Sequence, residues 1–482
     1  MAGAAVSQRF LIPLIVACAL FMENLDSTVV STSLPAIAQS FGENPLRLNL
    51  AITSYLLALG IFIPLSGWMA DRFGARKVFC SAIVVFTLGS IACSAVSNLP
   101  EFVLARILQG VGGAMMVPVG RLVILRTIPK HDLVNAMAWL TVPALIGPML
   151  GPPLGGFIST YGSWRWIFLI NIPIGILGLA LAYKYIDNIK EERREHFDSF
   201  GFVIVSLGVA ATMFGFENAG RGILPNSVVI ALLVIGVALL GLYYRHTRIN
   251  PAPIIDLTLF RIPTFRSSIV GGFIFRMGLG ALPFLTPLML QLGFGLTPFA
   301  SGMITFAGAA GAITMKIAAA PIIRRFGYRN ILIANTFICA AFMASYGFFT
   351  PSTSHLFIIL TLLVGGFFRS LQFTSLNTIA YADIDNPRMS RATTLSSVAQ
   401  QLSLSFGVGI GALVLHVTLS LSGRETLIAS DFSPAYFFIA CISFLSLFFF
   451  IPLASDAGDA VSGRIRPADA LKKTADVPQV AD

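Results

Sequence analysis

Two acidic residues lie three positions apart within the first long apolar stretch of the chain. The sequence "FMENLDSTVV", residues 21–30, contains Glu23 and Asp26. Residues at this spacing share one face of a helix. A charged Asp at the centre of a membrane span costs about 3 kcal/mol on insertion scales, so an acid kept there usually has a function. We predict that this pair exchanges a proton, with a structural hydrogen-bonding role near a helix end as the alternative.

The composition indicates a protein that crosses a membrane many times. Of 482 residues, 56% are hydrophobic and only 11% are charged, whereas a soluble protein carries about 25% charged residues. The five cysteines lie in apolar segments without a CxxC pair, and the five histidines are scattered. These patterns favour neither disulfides nor a zinc site. We therefore predict no metal, no cofactor and no enzymatic activity.

The apolar runs predict fourteen membrane-spanning helices, each of about 20 residues. They lie near 10–32, 48–70, 78–97, 101–126, 134–159, 164–186, 199–217, 226–245, 264–291, 297–320, 330–350, 354–381, 391–420 and 432–454. An even number of spans puts both termini on the same side of the membrane.

The basic residues orient these spans. If both termini are cytoplasmic, four arginines fall in outer loops (Arg47, Arg165, Arg221, Arg424) and four fall inside spans (Arg106, Arg121, Arg276, Arg369). All other Lys and Arg residues then lie on the inner side, as the positive-inside rule requires. This distribution accounts for the net charge of +10 without a nucleic-acid partner.

Two inner loops resemble each other. The loop after the second span reads "DRFGARKV", residues 71–78, and the loop after the tenth reads "RRFGYRNI", residues 324–331. Their placement predicts two related halves of six spans each, flanking two extra spans. Internal repeats with a binding site between the halves are typical of secondary transporters.

Several motifs resemble signatures of the major facilitator superfamily. "GWMADRFGARK", 67–77, is similar to its loop motif, and "RILQGVGGAM", 106–115, to its fourth-helix motif. "GPMLGPPLGG", 147–156, "LDSTVVSTSLP", 25–35, and "WRWIFLINIPIG", 164–175, resemble the 14-span drug:H⁺ antiporter branch. The loop motif departs from the family pattern at Met69 and Ala75, and Ala138 replaces a glycine upstream of the fifth-helix motif.

The resemblance implies an all-α integral membrane protein with the major facilitator fold. Its expected parts are a six-helix half at 1–190, two extra helices with linkers at 191–262, a second six-helix half at 263–455 and a disordered cytoplasmic tail at 456–482. We expect a monomer in the bacterial inner membrane that contacts lipids. It also implies that Asp26, which falls on a family motif, couples protons, whereas Glu23 does not clearly fall on that motif.

Arg106 is the predicted partner of Asp26. From the rise of 1.5 Å per residue, both side chains lie about 8 Å below the outer face of a core about 30 Å thick. They meet if the first and fourth helices are neighbours, as the family fold implies. A purely structural ion pair is the competing interpretation.

Two further groups of residues have predicted conformational roles. Gating is assigned to the loop motif residues Gly67, Asp71, Arg72, Gly74 and Arg76, where Asp71 can form a bond in one conformation only; simple topology control is the alternative. Control of leak is assigned to the fifth-helix motif, with packing alone as the alternative. The residues of that motif are Gly147, Gly151, Pro152, Gly155 and Gly156.

A substrate cavity is predicted around Arg276 in the ninth span. Aromatic and thioether side chains adapt to varied ligands, although ordinary packing is the simpler explanation for any one Phe in a chain with 40 of them. The predicted cavity residues are Arg276, Phe273, Met277, Gln372, Asn377 and Gln401. The sequence thus predicts a proton-driven exporter of small amphipathic organic compounds, with a dedicated exporter of one metabolite, siderophore or lipid-like molecule as the alternative. We considered a membrane enzyme and a sensor without transport and set both aside.

Overall fold

The computed structural model describes residues 2–43, 45–189, 196–219, 224–250, 252–424 and 427–463. Over these residues the chain forms helices, turns and loops and no strand. Fourteen long helical segments follow one another along this part of the chain, and we number them α1 to α14. The tail from residue 464, part of the region predicted to be disordered, lies outside the described residues.

The first eight segments are α1 Ala2–Phe41, α2 Pro45–Phe62 with its continuation Ser66–Phe73, α3 Ala75–Ala95, α4 Leu99–Thr127, α5 Leu133–Tyr161, α6 Trp166–Leu169 with Asn171–Tyr185, α7 Ser199–Asn218 and α8 Asn226–Thr247.

The remaining six are α9 Pro263–Arg266 with Gly272–Leu288, α10 Pro298–Phe326, α11 Tyr328–Tyr346, α12 His355–Ile379, α13 Met389–Ser422 and α14 Phe432–Leu445 with Leu447–Phe450. A π-helical turn at Ser267–Gly271 joins the two parts of α9, and a second at Met289–Gly293 ends it.

Each predicted span overlaps one of these segments, in order. Twelve of them are long and apolar enough to cross a membrane within the described part of the chain. The other two segments, α5 and α11, do not meet that test there. The chain is therefore a multi-pass helical membrane protein, and the count of fourteen spans stays a prediction.

Side-chain caps fix where several helices begin. The Asn98 side chain accepts from the Glu101 amide at 3.0 Å at the start of α4. The Asp198 carboxylate does the same for Gly201 at α7, and Thr297 for Ala300 at α10. Each cap satisfies an amide that the first helical turn leaves without a partner. These three caps therefore define the first residues of α4, α7 and α10.

The helices of the two predicted halves pack in the same pattern. In the first, α1 packs on α5 and α6, α2 on α4, and α3 on α4 and α6. In the second, α9 packs on α13 and α14, α10 on α12, and α11 on α12 and α14. The extra helices α7 and α8 pack on each other, and α7 also contacts α2 and α13.

The similar loops also adopt similar geometry. Gly74 and Gly327 both have positive φ, 96° and 75°, a conformation that favours glycine. Arg76 donates to the Ile186 carbonyl at the end of α6 at 3.3 Å. Arg329 donates to the Ile451 carbonyl just after α14 at 3.1 Å. In each half, an arginine of this loop thus forms a hydrogen bond with a carbonyl at the end of the last helix of the same half.

Candidate functional site

A buried polar cluster surrounds Asp26 in the first half. Asp26 is 2% exposed. Its Oδ2 accepts from Arg106 Nη1 at 2.6 Å. Its Oδ1 accepts from Gln109 Nε2 at 2.8 Å and from Asn171 Nδ2 at 3.2 Å. Three donors around the two oxygens are the surroundings that an ionised carboxylate requires away from water.

Arg106 connects this cluster to α2. It is fully buried, its Nε donates to the Ala51 carbonyl at 3.3 Å, and its guanidinium lies 4.3 Å from the centre of the Tyr55 ring. Gln109 extends the cluster to α3 by donating to Ser90 Oγ at 2.7 Å. Four helices therefore converge on one ion pair, α1, α2, α4 and α6, with α3 beside them.

Glu23 lies outside the network of hydrogen bonds around Asp26. Its Oε2 is buried and has no hydrogen-bond partner among the described residues, and the same holds for the Tyr55 hydroxyl. An ionised carboxylate oxygen without a donor is costly to bury. Glu23 and Asp26 are thus close along one helix but have different surroundings, since one is satisfied as an anion and the other is not.

Glycines of the fifth-helix motif bring α5 against α1 beside these acids. A Cβ on Gly147 would lie 2.9 Å from the Leu25 amide nitrogen, and one on Gly151 would lie 2.1 Å from Thr28 Oγ1. A Cβ on Gly156, by contrast, would meet nothing within 4 Å. Gly155 is also buried, and the Pro152 side chain lies outside the described residues. The motif therefore contacts α1 of its own half.

The loop motif joins the two halves at the end predicted to be cytoplasmic. Asp71 accepts from Arg126 Nη2 at 2.9 Å and from the Ser390 hydroxyl of α13. A Cβ on Gly67 would lie 2.6 Å from Thr394 Oγ1, also on α13. The Arg72 guanidinium lies 5.6 Å from the Trp68 ring centre, on the same helix. The loop motif thus contains both a bridge between the halves and a close helix contact.

Further bonds between the halves lie at the same end. Lys130 donates to the Ala382 carbonyl at 3.1 Å, and Arg121 reaches Tyr381 Oη and Gln400 Oε1 at 3.3 Å each. Five side-chain hydrogen bonds in the described part of the chain link the first half with the second at this end. This conformation is closed at the predicted cytoplasmic end.

The structure brings Arg276 and Asn377 together in the second half. Arg276 is 2% exposed, and its Nη2 donates to Asn377 Oδ1 at 3.1 Å. Its guanidinium lies 5.4 Å from the Phe373 ring centre. Its Nε and Nη1 are buried and have no hydrogen-bond partner in the described part of the chain.

The other predicted cavity residues are dispersed. Gln372 faces α11, where it accepts from Asn335 at 3.0 Å and donates to Thr336 at 2.9 Å. Phe273 packs edge-on against Phe406 of α13. Met277 and Gln401 are half-buried. The structure therefore does not gather all six residues around Arg276.

Sequence reasoning placed Lys316 on the inner side, and the structure places it inside α10. It is 8% exposed and donates to Thr374 Oγ1 at 2.7 Å. The signal was available, because Lys316 falls within the predicted span 297–320. Arg324 and Arg325 follow Lys316 in the chain, so the three residues together resemble one basic loop.

A second missed signal is a repeated Arg-x-Leu-Gln. It occurs as "RILQ" from Arg106 to Gln109 in α4 and as "RSLQ" from Arg369 to Gln372 in α12. Both glutamines reach the third helix of their own half, at Ser90 and at Thr336. The repeat in sequence and in contacts marks α4 and α12 as corresponding helices.

Two related helical halves, with a buried ion pair between packed helices, define a membrane transporter. The chain belongs to the Major Facilitator Superfamily, whose family model matches residues 16–408. This confirms the resemblance seen in the motifs and places the chain among transporters rather than enzymes.

Among its relatives, the chain is 39% identical over 463 residues to the "Putative multidrug resistance protein MdtD" of Escherichia coli O157:H7 (strain EC4115 / EHEC). That match covers 94% of this chain and 97% of the relative. A Shigella flexneri protein of the same name is 38% identical over equal coverage.

Two solved structures share the fold at low sequence identity. The human organic anion transporter MFSD10 (TETRAN) aligns with a TM-score of 0.69 at 14% identity, over 92% of this chain and 99% of that one. The proton:xylose symporter XylE aligns with a TM-score of 0.67 at 18% identity, over 95% and 98%.

Proposed function

We propose that this protein exports amphipathic organic compounds in exchange for protons, by alternating access across the bacterial inner membrane with both termini cytoplasmic. The observation that carries the proposal is the buried Asp26–Arg106 pair at 2.6 Å. The relatedness to MdtD supports a multidrug substrate range. The proposed architecture is fourteen spans, with halves at 1–190 and 263–455 and the extra helices between them. The proposed working form is a monomer.

In this proposal Asp26 and Glu23 have different roles. Asp26 accepts three hydrogen bonds in the closed conformation described above. Glu23 has a buried oxygen without a donor, so it is the better place for a proton in this conformation. Protonation of Asp26 would release Arg106, and breaking one partner of a buried pair costs about 3–5 kcal/mol. That cost links proton occupancy to the packing of four helices.

The conformational step follows from the contacts that Gly67, Asp71, Arg121 and Lys130 make with the second half at the predicted cytoplasmic end. We call this set of contacts the seam. A bond made in one state only biases a two-state equilibrium towards that state. Asp71 supplies such a bond, because it joins Arg126 of the first half to Ser390 of the second. Opening towards the cytoplasm must break the Asp71–Ser390 contact and separate Gly67 from Thr394.

A dedicated exporter of one compound is the second candidate. The observation in its favour is the uneven distribution of charge, because interior cations of the second half lack acidic partners in the described structure. A single compound of matching charge would suit such a site better than a broad range of cationic drugs would.

The test is gradient-driven transport by the full chain in proteoliposomes. The panel contains tetraphenylphosphonium, a neutral amphipathic drug and 1-naphthoate. An imposed pH gradient should drive accumulation of at least one compound, and a protonophore should abolish it. Transport that is unaffected by the protonophore would contradict proton coupling. Accumulation of a single compound, with no accumulation of analogues of the same charge, would favour the second candidate.

A further inference from the structure

The second half carries interior positive charge without acidic residues to balance it. Helices α9 to α14 contain no Asp or Glu, yet Arg276, Lys316 and Arg369 lie within them. Lys316 bonds the neutral hydroxyl of Thr374. In the first half, by contrast, Arg106 has the carboxylate of Asp26. The corresponding Arg369 has no acidic partner among the described residues, and its Nε is buried without a hydrogen bond.

A second buried arginine, Arg121 of the first half, lies against the same part of α12 as Arg276. Arg121 is 5% exposed and donates to Tyr381 Oη, and Arg276 donates to Asn377 Oδ1, four residues earlier at the end of α12. The acceptors of Arg121 are the neutral oxygens of Tyr381 and Gln400, both at 3.3 Å. Two buried like charges repel each other strongly, because the low dielectric of the interior screens them poorly. An anion between them would convert that repulsion into attraction.

Arg276 has donors to offer such an anion. Its Nε and Nη1 have no partner in the described structure, while Nη2 is held by Asn377. A buried donor without an acceptor is destabilising, and a charged donor more so. Guanidinium groups bind carboxylate and phosphate through two parallel hydrogen bonds. The Phe373 ring beneath the guanidinium offers an apolar surface beside the charged group.

We propose that Arg121 and Arg276 form a binding site for the anionic headgroup of an amphipathic organic anion. This names the substrate class of the exporter and rests on the function proposed above. The headgroup, a carboxylate or a comparable oxyanion, binds between guanidinium groups of the two halves. The bound anion therefore joins α4 to α9 in the conformation that is closed at the cytoplasmic end.

The test measures binding rather than transport. The full chain is placed in nanodiscs of zwitterionic phosphatidylcholine and titrated with 1-naphthoate, 1-naphthylmethylammonium and 1-naphthalenemethanol, which share one ring system. Saturable binding of the carboxylate is expected, with binding of the other two at least about tenfold weaker, since hydrogen bonds between two charged groups are stronger than those to an uncharged hydroxyl and an ammonium group is repelled. Empty nanodiscs correct for partition into lipid.

Variants locate the site. Arg276→Gln and Arg121→Gln should each weaken naphthoate binding by about tenfold or more, and Arg276→Lys should retain part of it. The control is Arg369→Gln, which removes the same charge from the same half at a position that faces Gly308 of α10. It should change binding by less than about threefold, because the Arg369 guanidinium faces α10 and donates no hydrogen bond to the proposed headgroup position. Thermal unfolding of each variant in the same nanodiscs shows whether it is folded, so loss of naphthoate binding by a folded variant reports the site.

Three results would overturn the inference. They are equal binding of the three probes, an equal effect of Arg369→Gln and Arg276→Gln, and displacement of naphthoate by phosphatidylglycerol with no naphthoate transport, which would assign the site to a lipid headgroup. The outcome is separate from that of the proposed function. Proton-driven transport of cations alone would refute this inference and leave the exporter intact, whereas anion binding without proton exchange would do the reverse.

Discussion

Asp26 and Arg106 are expected to act as one unit because both charged groups are buried in the described structure. The pair is buried, and its polar atoms also bond to Gln109, Asn171 and Ala51. Removing one charge leaves the other buried without compensation, which costs about 3–5 kcal/mol, whereas removing both costs much less. The stability of this half therefore depends on the pair, whereas the proposed proton coupling requires the carboxyl group of Asp26.

We predict that Asp26→Asn lowers the unfolding temperature and that the double variant Asp26→Asn, Arg106→Gln recovers part of the loss without recovering proton-driven transport. The measurement is thermal unfolding followed by tryptophan fluorescence, run beside the transport assay. If the double variant is as unstable as the sum of the single variants, the two residues do not act as a pair.

Glu23→Gln should separate the roles of the two acids. Because Glu23 Oε2 makes no hydrogen bond among the described residues, the substitution should change stability by less than about 1 kcal/mol. Proton release on substrate binding should nevertheless fall. Unchanged proton release, measured with a pH indicator in weakly buffered solution, would leave Asp26 as the sole coupling acid.

At the scale of the helix, α5 controls how closely α1 is held. Gly151 approaches Thr28, which lies half a turn from Asp26, while Gly156 on the same helix meets no neighbour within 4 Å. A methyl group at position 151 must push the two helices apart at the level of the ion pair. The same group at position 156 has open space.

Gly151→Ala is therefore expected to destabilise the protein by about 1–3 kcal/mol, as overpacking does, and to weaken proton coupling. Gly156→Ala is the matched control and should leave both unfolding temperature and coupling unchanged or slightly improved, because Ala favours a helix over Gly. Equal behaviour of the two variants would show that the α1–α5 contact has no bearing on the site.

The level of the helix also shows how far sequence reasoning reaches. Depth along α1 and α4 placed Asp26 opposite Arg106, and the structure joins them. Gln109 and Asn171 could not be assigned in the same way, because one uncharged amide in an apolar span gives no periodic signal of what it faces. The predicted cavity residues are dispersed for a similar reason, since Gln372 and Arg276 project from their helices towards different neighbours.

For the whole molecule, we expect the seam at the predicted cytoplasmic end to decide which conformation is populated. Gly67 and Asp71 both contact α13 there. Gly67→Ala would place its Cβ 2.6 Å from Thr394 Oγ1 and 2.9 Å from the Ser390 carbonyl. The substitution should shift the population towards the state that is open to the cytoplasm.

Spin labels on the cytoplasmic ends of α4 and α12 would measure this shift as a longer distance in Gly67→Ala than in the wild type. Asp71→Asn should shift the distance in the same direction, because it removes the charge that bridges Arg126 and Ser390. Distances identical to those of the wild type in both variants would show that these contacts do not hold the seam closed.

The central claim, that Asp26 couples protons to substrate movement, is tested most directly by comparing two kinds of transport in one preparation. Wild type and Asp26→Asn are reconstituted side by side, and each is assayed for substrate exchange without a gradient and for accumulation driven by a pH gradient. We predict that the wild type performs both, and that Asp26→Asn retains exchange but loses accumulation. Undiminished gradient-driven accumulation by Asp26→Asn would contradict the account.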